Sequence, residues 1–528
     1  MSADDAPRKK EDKQLLIQES FEQDIDEEKK KNLQRYWREI EPKLNCCNLS
    51  KRHTVAALTS IGFVITFAMR YNLSVAIVQM VGNFTVQGPE FKWSPGTIGM
   101  VDSSFFWGYL ITHVPGGFFA ARFPANRIFG TAIVISSCLN LALPNAAHIN
   151  VGMVVFIRIL QGLVEGVIYP ACHGIWRYWA PPLERSRLAT IAFCGSYAGA
   201  VLGMPLSGML INNLGWASSF YFYGLLGMLW YIVWLAVVFE RPSKHPTISA
   251  EERIYIEHSL GNIAQSAPTL KTTPWKSILT SLPVYAIIVA NFCRSWTFYL
   301  LMTSQALYFT DILHFQLDQS GALGALPHLL MTIAVPTGGY LADMLCKKGI
   351  LTTTSVRKIF NCGGFGLEAI FLLVVGYTRS HAASVVALIL AVGVSGFAIT
   401  GFNVNHLDLA PRYASILMGM SNGVGTIAGI VCPVVVKELT KDGTAKEWEN
   451  VFLISSIIHL TGVVFYAIFA SGELQPWAEP PAEEVLPWNP LEGAFKNDKC
   501  DNQNGSIPIA LTEIKQISYG TTDDAKTP

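Results

Sequence analysis

Charge is scarce in this sequence. Only 15% of its 528 residues are charged, whereas soluble domains carry about 25%. Lysine plus arginine number 39, as do aspartate plus glutamate, so no excess of positive charge points to a nucleic-acid partner. Because 51% of the residues are hydrophobic, the composition predicts a surface that is largely covered by lipid.

Motifs for chemistry are scarce as well. The ten cysteines have no regular spacing, which excludes a disulfide framework and a cysteine-based metal site. The sequence has no phosphate-binding GxxxxGK[ST] loop, no zinc-protease helix motif and no nucleophile paired with a base. It therefore predicts neither an enzyme nor an ATP-driven pump, and no cofactor or metal. Ion gradients or a membrane potential are expected to drive any transport.

Long hydrophobic runs are abundant. A membrane-spanning helix needs about 20 mostly apolar residues, and twelve segments meet that length. A polar stretch near 240–282 separates the first six from the last six. The predicted spans are 54–81, 97–119, 128–147, 151–173, 188–211, 217–239, 283–309, 321–343, 357–377, 383–404, 413–436 and 450–470.

The two sets of six spans repeat a local motif. The second span ends in Pro115-Gly116-Gly117, and the eighth ends in Pro336-Thr337-Gly338-Gly339. Two parallel six-helix repeats are the organisation of major-facilitator transporters, so the fold class predicted is an all-α membrane protein of this type. The expected domains are bundles at 51–240 and 283–472, a cytosolic linker at 241–282, and disordered cytosolic tails at 1–50 and 473–528. Ser249 and Glu252 form a capping-box pattern that predicts a short helix in the linker.

Basic residues set the expected orientation. They concentrate in the N-terminal tail and in alternate short loops, and such loops stay in the cytosol. Both termini are therefore expected in the cytosol. Asn83, in an Asn-Phe-Thr sequence of the first non-cytosolic loop, is then a predicted N-glycosylation site.

Arg70 and Arg294 are the main candidates for substrate binding. An ionisable residue inside the bilayer is costly and is by default a functional candidate. Arg70 lies in the first span and Arg294 in the seventh, which are equivalent helices of the repeat. The two guanidinium groups are expected to face each other across a central cavity. Since guanidinium binds carboxylate or phosphate through a two-pronged fork, the pair predicts an anionic substrate.

Other polar residues in the spans have two interpretations each. Arg158 and Glu165 lie seven residues apart on one helical face, too far for a direct pair. They form either a structural ion pair through a third group or a proton-sensitive coupling site. His406 either lines the cavity and senses pH or caps a helix end. Tyr169 and Tyr299 either line a polar path or pack.

Long stretches of the chain resemble one family. They include HGIWRYWAPP at 173–182, IVANFCRSWTFY at 288–299 and GFNVNHLD at 401–408. On these motifs the chain resembles the vesicular glutamate transporters, within the anion transporter family that also holds sialin and the sodium-phosphate cotransporters. The similarity runs from about residue 50 to about residue 480.

The resemblance implies loading of L-glutamate into synaptic vesicles, driven mainly by the potential that the vesicular proton pump generates. Lumenal protons and chloride would activate transport, and chloride conductance and sodium-dependent phosphate transport belong to the same family. The resemblance further implies that Arg70 and Arg294 hold the substrate carboxylates. Arg158 and Glu165 would form the proton- and chloride-sensitive switch, while Tyr169, Tyr299 and His406 would lie along the substrate path. Exocytosis would carry the protein to the plasma membrane as well.

Asp102 departs from the family pattern, which has a histidine at this position before SSFFW. If that histidine senses lumenal pH, this chain either functions without such a sensor or uses Asp102 in its place. Helix one, with Arg70-Tyr71-Asn72-Leu73-Ser74, is closer to sialin. The alternatives are therefore a sialin-like, proton-coupled carrier of sialic acid or aspartate, and a sodium-phosphate cotransporter.

Overall fold

The computed structural model describes residues 50–81, 91–260, 272–313, 317–378, 380–440 and 442–478. The predicted glycosylation site Asn83 and both predicted tails lie outside these residues, apart from short stretches next to the first and last helices.

Twelve long helical segments make up the described part of the chain, which confirms the predicted all-α major-facilitator architecture. Eleven contain a stretch long and apolar enough to cross a membrane. The remaining one, α2, has 28 residues and is less apolar because it carries Asp102, Ser103, Ser104 and His113; at 1.5 Å per residue its length is still sufficient. The helices are α1 (Lys51–Val81), α2 (Pro95–Arg122), α3 (Ala125–Ile149), α4 (Val151–Glu165 and Ile168–Trp179), α5 (Arg185–Leu214), α6 (Trp216–Val237), α7 (Leu282–Asp311), α8 (Leu317–Lys347), α9 (Thr353–Tyr377), α10 (His381–Ala398 and Val404–Leu409), α11 (Ala414–Leu439) and α12 (Ala445–Phe469).

The packing of the helices reproduces the sequence repeat. In the first half, α1 packs on α5, α2 on α4 and α3 on α6; in the second half, α7 packs on α11, α8 on α10 and α9 on α12. Adding six to each helix number of the first set gives the second set. Between the halves, α2 packs on α11 and α8 packs on α5. These two contacts are also equivalent, because α2 corresponds to α8 and α5 corresponds to α11 in the repeat.

The repeated glycine motif lies at the two equivalent interfaces between the halves. A Cβ on Gly117 of α2 would lie 2.5 Å from the carbonyl oxygen of Ser415, in the first turn of α11. A Cβ on Gly339 of α8 would lie 2.8 Å from the carbonyl oxygen of Ser186 in α5. No side chain fits at either distance, so glycine allows the backbones of the two halves to approach closely.

Several helices extend beyond the hydrophobic runs that predicted them. The predicted fourth span ended at 173, whereas α4 continues to Trp179. The tenth ended at 404, whereas α10 passes through a π-helical turn at Ile399–Asn403 and continues to Leu409. A helix satisfies its own backbone groups, so it does not have to end where apolar side chains end.

The linker contributes a helix, Ala250–Leu260, which confirms the short helix predicted there. The Ser249 hydroxyl accepts a hydrogen bond from the Glu252 backbone N–H at 3.2 Å. The Glu252 carboxylate, however, accepts bonds from the backbone N–H groups of Lys51 and Arg52 at 3.0 and 3.1 Å, and from the Arg52 guanidinium. Arg52 also pairs with Glu184 at 2.6 Å. The linker helix is therefore fastened to the start of α1.

Candidate functional site: a central cavity with buried arginines

A cavity of ≈ 320 Å³ lies between the two halves, at the middle of the helices and towards the Val81 end of α1. Two arginines and one aspartate contribute the formal charges of its wall, so the wall is net positive. Helices α1, α2 and α4 of the first half and α7 of the second half supply the lining. The lining residues are Phe67, Arg70, Tyr71, Ser74, Asp102, Phe105, Phe106, Arg158, Phe298, Tyr299 and Met302.

Arg70 is held on one edge by a carboxylate and on its faces by aromatic rings. Its Nε donates to Glu165 Oε2 at 2.6 Å, and the exposed fractions of the two side chains are 12% and 2%. The rings of Phe67, Phe105 and Tyr109 lie 4.6–4.7 Å from the guanidinium carbon. This environment stabilises the cation while leaving it at the cavity wall.

Glu165 has two partners, and neither of them is Arg158. Its Oε1 accepts a hydrogen bond from the Ser136 hydroxyl at 2.6 Å, and its Oε2 accepts from Arg70. As their spacing along the helix indicated, Glu165 and Arg158 form no direct ion pair in the described part of the chain. Seven residues of separation on one helix prevented a direct contact, and the tertiary packing of α1 against α4 supplied a nearer cation.

Arg158 instead contacts an aromatic ring that Arg70 also contacts. Its guanidinium carbon is 4.9 Å from the centre of the Phe105 ring, whose other guanidinium neighbour is Arg70. One amino group donates to Gln161 Oε1 at 3.1 Å, while the buried Nε has no hydrogen-bond partner among the residues that the structure describes. Asp102 lines the same cavity and interacts electrostatically with Arg158. Sequence reasoning missed Phe105, because a phenylalanine in an apolar span carries no distinguishing signal.

Arg294 lies at the centre of the molecule but lines two smaller cavities, of ≈ 30 and ≈ 20 Å³. It donates to the Tyr197 hydroxyl at 3.0 Å, across the interface from α7 to α5. Its guanidinium carbon lies 4.6 Å from the Phe298 ring, and Phe298 also lines the large cavity. The expected pair of facing arginines is thus arranged as two adjoining sites with an aromatic ring in the common wall. Tyr197 lies within the GSYAGA motif at 195–200, yet the sequence alone did not assign it a role.

The two predicted tyrosines lie in different surroundings. Tyr299 lines the large cavity, and its ring is 5.3 Å from that of Phe106. Tyr169 lines the smallest of the three cavities with Arg294, and its hydroxyl forms a 2.7 Å hydrogen bond with Ser196. Their participation in a substrate path remains a prediction.

His406 is packed between the halves and does not line any of these three cavities. Its Nδ1 is 2.8 Å from the carbonyl oxygen of Asn403, in the π-helical turn, and its Nε2 is 2.8 Å from the Ser421 hydroxyl. His173 of α4 reaches the same carbonyl oxygen at 3.0 Å. The geometry matches the end-cap interpretation of His406 and places the residue at an interface contact rather than in the cavity wall.

An ionic network joins the halves at the Lys51 end of the helices. Asp408 of α10 pairs with Arg185 at 3.2 Å and with Arg357 at 2.6 Å. Asp343 of α8 accepts hydrogen bonds from the backbone N–H groups of Ser186 and Arg187 at 3.2 and 2.6 Å. These contacts link the two halves at this end of the helices.

Comparisons with known proteins identify the family. The model of the Major Facilitator Superfamily matches residues 59–433. Human vesicular glutamate transporter 2 is 56% identical over 489 residues, which cover 90% of this chain and 82% of the human protein. Bovine vesicular glutamate transporter 1 is 54% identical over 495 residues, covering 92% and 88%, and zebrafish vesicular glutamate transporter 2.1 is 58% identical over 490 residues, covering 90% and 83%.

Solved structures match the fold at low sequence identity. The E. coli fucose:proton symporter FucP has a TM-score of 0.58 at 13% identity, covering 80% of this chain and all of that chain. The human organic anion transporter MFSD10 has a TM-score of 0.58 at 15% identity, covering 79% and 99%. The chain is a multi-pass membrane transporter of the major facilitator superfamily, and within it the chain belongs to the family of the vesicular glutamate transporters.

Proposed function

We propose that this protein loads L-glutamate into vesicles, driven mainly by an inside-positive membrane potential. The observation that carries the proposal is the positive cavity between the halves, whose wall contains Arg70 and Arg158 and adjoins Arg294. Its volume of ≈ 320 Å³ is at the lower end of the range of about 300–1,000 Å³ typical of small-molecule sites. The relatives at 54–58% identity are vesicular glutamate transporters.

Arg70 and Arg294 would each bind one carboxylate of glutamate. The two arginines lie on equivalent helices of the repeat and on either side of Phe298, so a dicarboxylate that spans both cavities would contact both halves. Binding would then favour closure of the halves around the substrate, which is how a ligand with contacts in both halves biases alternating access.

The coupling residues would be Arg158, Glu165 and Asp102. The Arg70–Glu165 pair is broken when a proton neutralises Glu165 or when a substrate carboxylate replaces it, so lumenal acid would free Arg70 for an anion. Arg158, beside Asp102 at the cavity wall, would bind chloride. Sodium-dependent phosphate transport and a chloride conductance are further expectations.

The expected orientation in the membrane follows from the basic residues in alternate loops. Both termini and the ionic network at the Lys51 end would lie in the cytosol, and the cavity would lie towards the lumen. The bundles at 51–240 and 283–472 would rock against each other about the central arginines. The protein would reside in synaptic or secretory vesicles, depend on the vesicular proton pump, and reach the plasma membrane on exocytosis.

Radiolabelled uptake into proteoliposomes tests the proposal. An inside-positive potential should drive accumulation of glutamate, and Arg294→Ala should abolish it because the carboxylate fork is lost. Preference for sialic acid or aspartate under a proton gradient would favour the sialin-like alternative. Loss of phosphate uptake when choline replaces sodium, without glutamate uptake, would favour a sodium-phosphate cotransporter.

A further inference from the structure

A second buried acid lies behind Arg294, in the second half of the molecule. Glu368 of α9 faces His459 of α12, with 3.8 Å between Glu368 Oε2 and His459 Nδ1. The exposed fractions of these side chains are 5% and 0%. On its other side, His459 Nε2 forms a 2.5 Å hydrogen bond with the Thr297 hydroxyl of α7. Glu368 Oε2 and His459 Nδ1 have no hydrogen-bond partner in the described part of the chain.

Two buried polar atoms that face each other without a hydrogen-bond partner among the described residues require an explanation. A buried polar group without a partner is destabilising, and a charged one is more so. A proton bound by the pair removes the buried negative charge of Glu368, which is the most costly part of the arrangement. The cluster therefore has the chemistry of a proton-binding site.

The Glu368 carboxyl group lies in the wall of a cavity that Arg294 also lines. Glu368 and Arg294 line the same cavity of ≈ 30 Å³, together with Tyr197, Thr297, His328 and Ser395. That volume accommodates a water molecule, which needs about 10–15 Å³. The carboxylate of Glu368 interacts electrostatically with Arg294, so its charge state alters the field that an anion meets at the guanidinium.

The same set of groups surrounds Arg70 in the first half. Arg70 has an acid from α4, Glu165, which is bonded to a serine from α3, Ser136. Arg294 has an acid from α9, Glu368, beside a serine from α10, Ser395. Since α3 corresponds to α9 and α4 to α10, each half supplies an arginine, an acid and a serine, with the acid and the serine exchanged between the two helices.

We propose that Glu368 and His459 form a second proton-binding site, which controls how strongly Arg294 binds the substrate anion. With the proton absent, the Glu368 carboxylate offsets the charge of Arg294 and competes with the substrate. With the proton bound to the pair, the offset is lost and Arg294 binds the anion more tightly. This proposal depends on the proposed function only because it takes Arg294 as the residue that binds the substrate anion.

The other titratable groups near Glu368 have contacts of their own, so the proton site is assigned to Glu368 and His459. From α7, the Cys293 thiol donates to the carbonyl oxygen of Ile458 at 3.3 Å. From α8, the His328 ring packs 6.3 and 6.5 Å from the rings of Tyr71 and Phe298. From α5, Tyr197 accepts the bond of Arg294. His459 is the imidazole in contact with the carboxyl, and Arg294 is the cation that shares its cavity.

Infrared difference spectroscopy tests proton binding without any substrate. Purified protein in proteoliposomes is moved between neutral and acidic buffer, and the C=O stretching band of a protonated carboxyl is recorded. Glu368→Gln should remove one such band, and His459→Gln should shift it. Glu438→Gln, which removes a carboxylate from the exposed end of α11, is the matched control and should leave that band unchanged. A spectrum of Glu368→Gln identical to that of the wild type overturns the proposal.

Equilibrium binding of radiolabelled glutamate tests the link to Arg294. The apparent affinity of the wild type should rise on acidification by up to about tenfold per pH unit over the range in which the pair titrates. Glu368→Gln should lose that part of the rise and bind at neutral pH as the acidified wild type does. A pH profile that Glu368→Gln leaves unchanged also overturns the proposal. If the wild type binds no glutamate, the proposed function fails, while the infrared result still decides the proton site.

Discussion

Arg70 lies at the wall of the central cavity, where the Glu165 carboxylate and three aromatic rings stabilise its charge. Its position within an apolar span identified it as a cavity residue, and the structure places it at the cavity wall. Arg70 could not be identified from the sequence as the partner of Glu165, because that contact depends on how α1 packs against α4. Phe105, which contacts both guanidinium groups, and Tyr197, which binds Arg294, likewise become recognisable only through tertiary contacts.

The Arg70–Glu165 ion pair is buried, so removing one of its charges should destabilise the protein more than removing both. Arg70→Ala leaves Glu165 buried without its cation, which should destabilise the protein by about 3–5 kcal/mol. Arg70→Met combined with Glu165→Leu removes both charges and should be much less destabilising than Arg70→Ala. Thermal unfolding in detergent, followed by fluorescence-detected gel filtration, measures the difference.

The exposed ion pair Lys244–Glu240, at 2.7 Å, is the control for this comparison of variants. Lys244→Ala should leave the unfolding temperature nearly unchanged, because water and salt already screen that pair. Equal destabilisation by Arg70→Ala and by the double variant would show that the ion pair is not what makes Arg70 necessary.

Asp102 should weaken anion binding in the cavity that it shares with Arg70 and Arg158. A single charge at about 8 Å and an effective dielectric constant near 40 contributes about 1 kcal/mol, so Asp102→Asn should tighten glutamate binding about fivefold. Equilibrium binding at neutral pH measures the change. Ser103→Ala, at the neighbouring and partly exposed position, is the control. Weaker binding in Asp102→Asn would contradict a purely electrostatic role.

At the scale of helices, hydrophobic runs located all twelve segments, but they did not locate the helix ends or irregularities. The π-helical turn at Ile399–Asn403 lies within an apolar stretch with ordinary helical composition. Its effect is to present the Asn403 carbonyl oxygen to both His173 and His406. Such a turn depends on contacts across the interface, which hydrophobic periodicity does not encode. The repeated Pro-Gly-Gly motif was visible in the sequence, whereas its place between the halves was not.

The interface glycines should be far more sensitive than an exposed helical glycine. Gly117→Ala and Gly339→Ala each place a Cβ against the backbone of the other half, so they should lower the unfolding temperature and reduce transport. Gly363→Ala in α9, where a Cβ meets nothing within 4 Å, should be neutral or slightly stabilising because alanine favours helix. Thermal unfolding compares the three variants. Similar behaviour of all three would contradict close packing of the halves at the motif.

At the scale of the whole molecule, the fold is two copies of one six-helix arrangement. The sequence predicted this from the layout of spans and one local motif, and the exchange of α2–α11 and α5–α8 contacts confirms it. The copies have diverged at their functional groups. Arg70 forms an ion pair at 2.6 Å, while Arg294 binds a tyrosine of the opposite half. The difference makes the two halves unequal towards an anion.

The network around Asp408 should hold the Lys51 end closed. Asp408→Asn removes the carboxylate shared by Arg185 and Arg357, leaving two cations close together, so the halves should separate at this end. Spin labels at Leu183 and Ile350, both exposed and on opposite halves, report that distance in a background without native cysteines. The distance distribution should shift to longer values. Glu438→Gln, away from the network, should leave it unchanged, and an unchanged distribution in Asp408→Asn would show that other contacts close this end.

Uptake of radiolabelled glutamate into proteoliposomes is the most direct test of the central claim that the buried arginines bind a transported anion. Wild-type vesicles with an imposed inside-positive potential should accumulate glutamate, and vesicles containing Arg70→Ala or Arg294→Ala should not. Gly363→Ala vesicles should match the wild type. Undiminished accumulation by both arginine variants, at equal amounts of folded protein, would contradict the account.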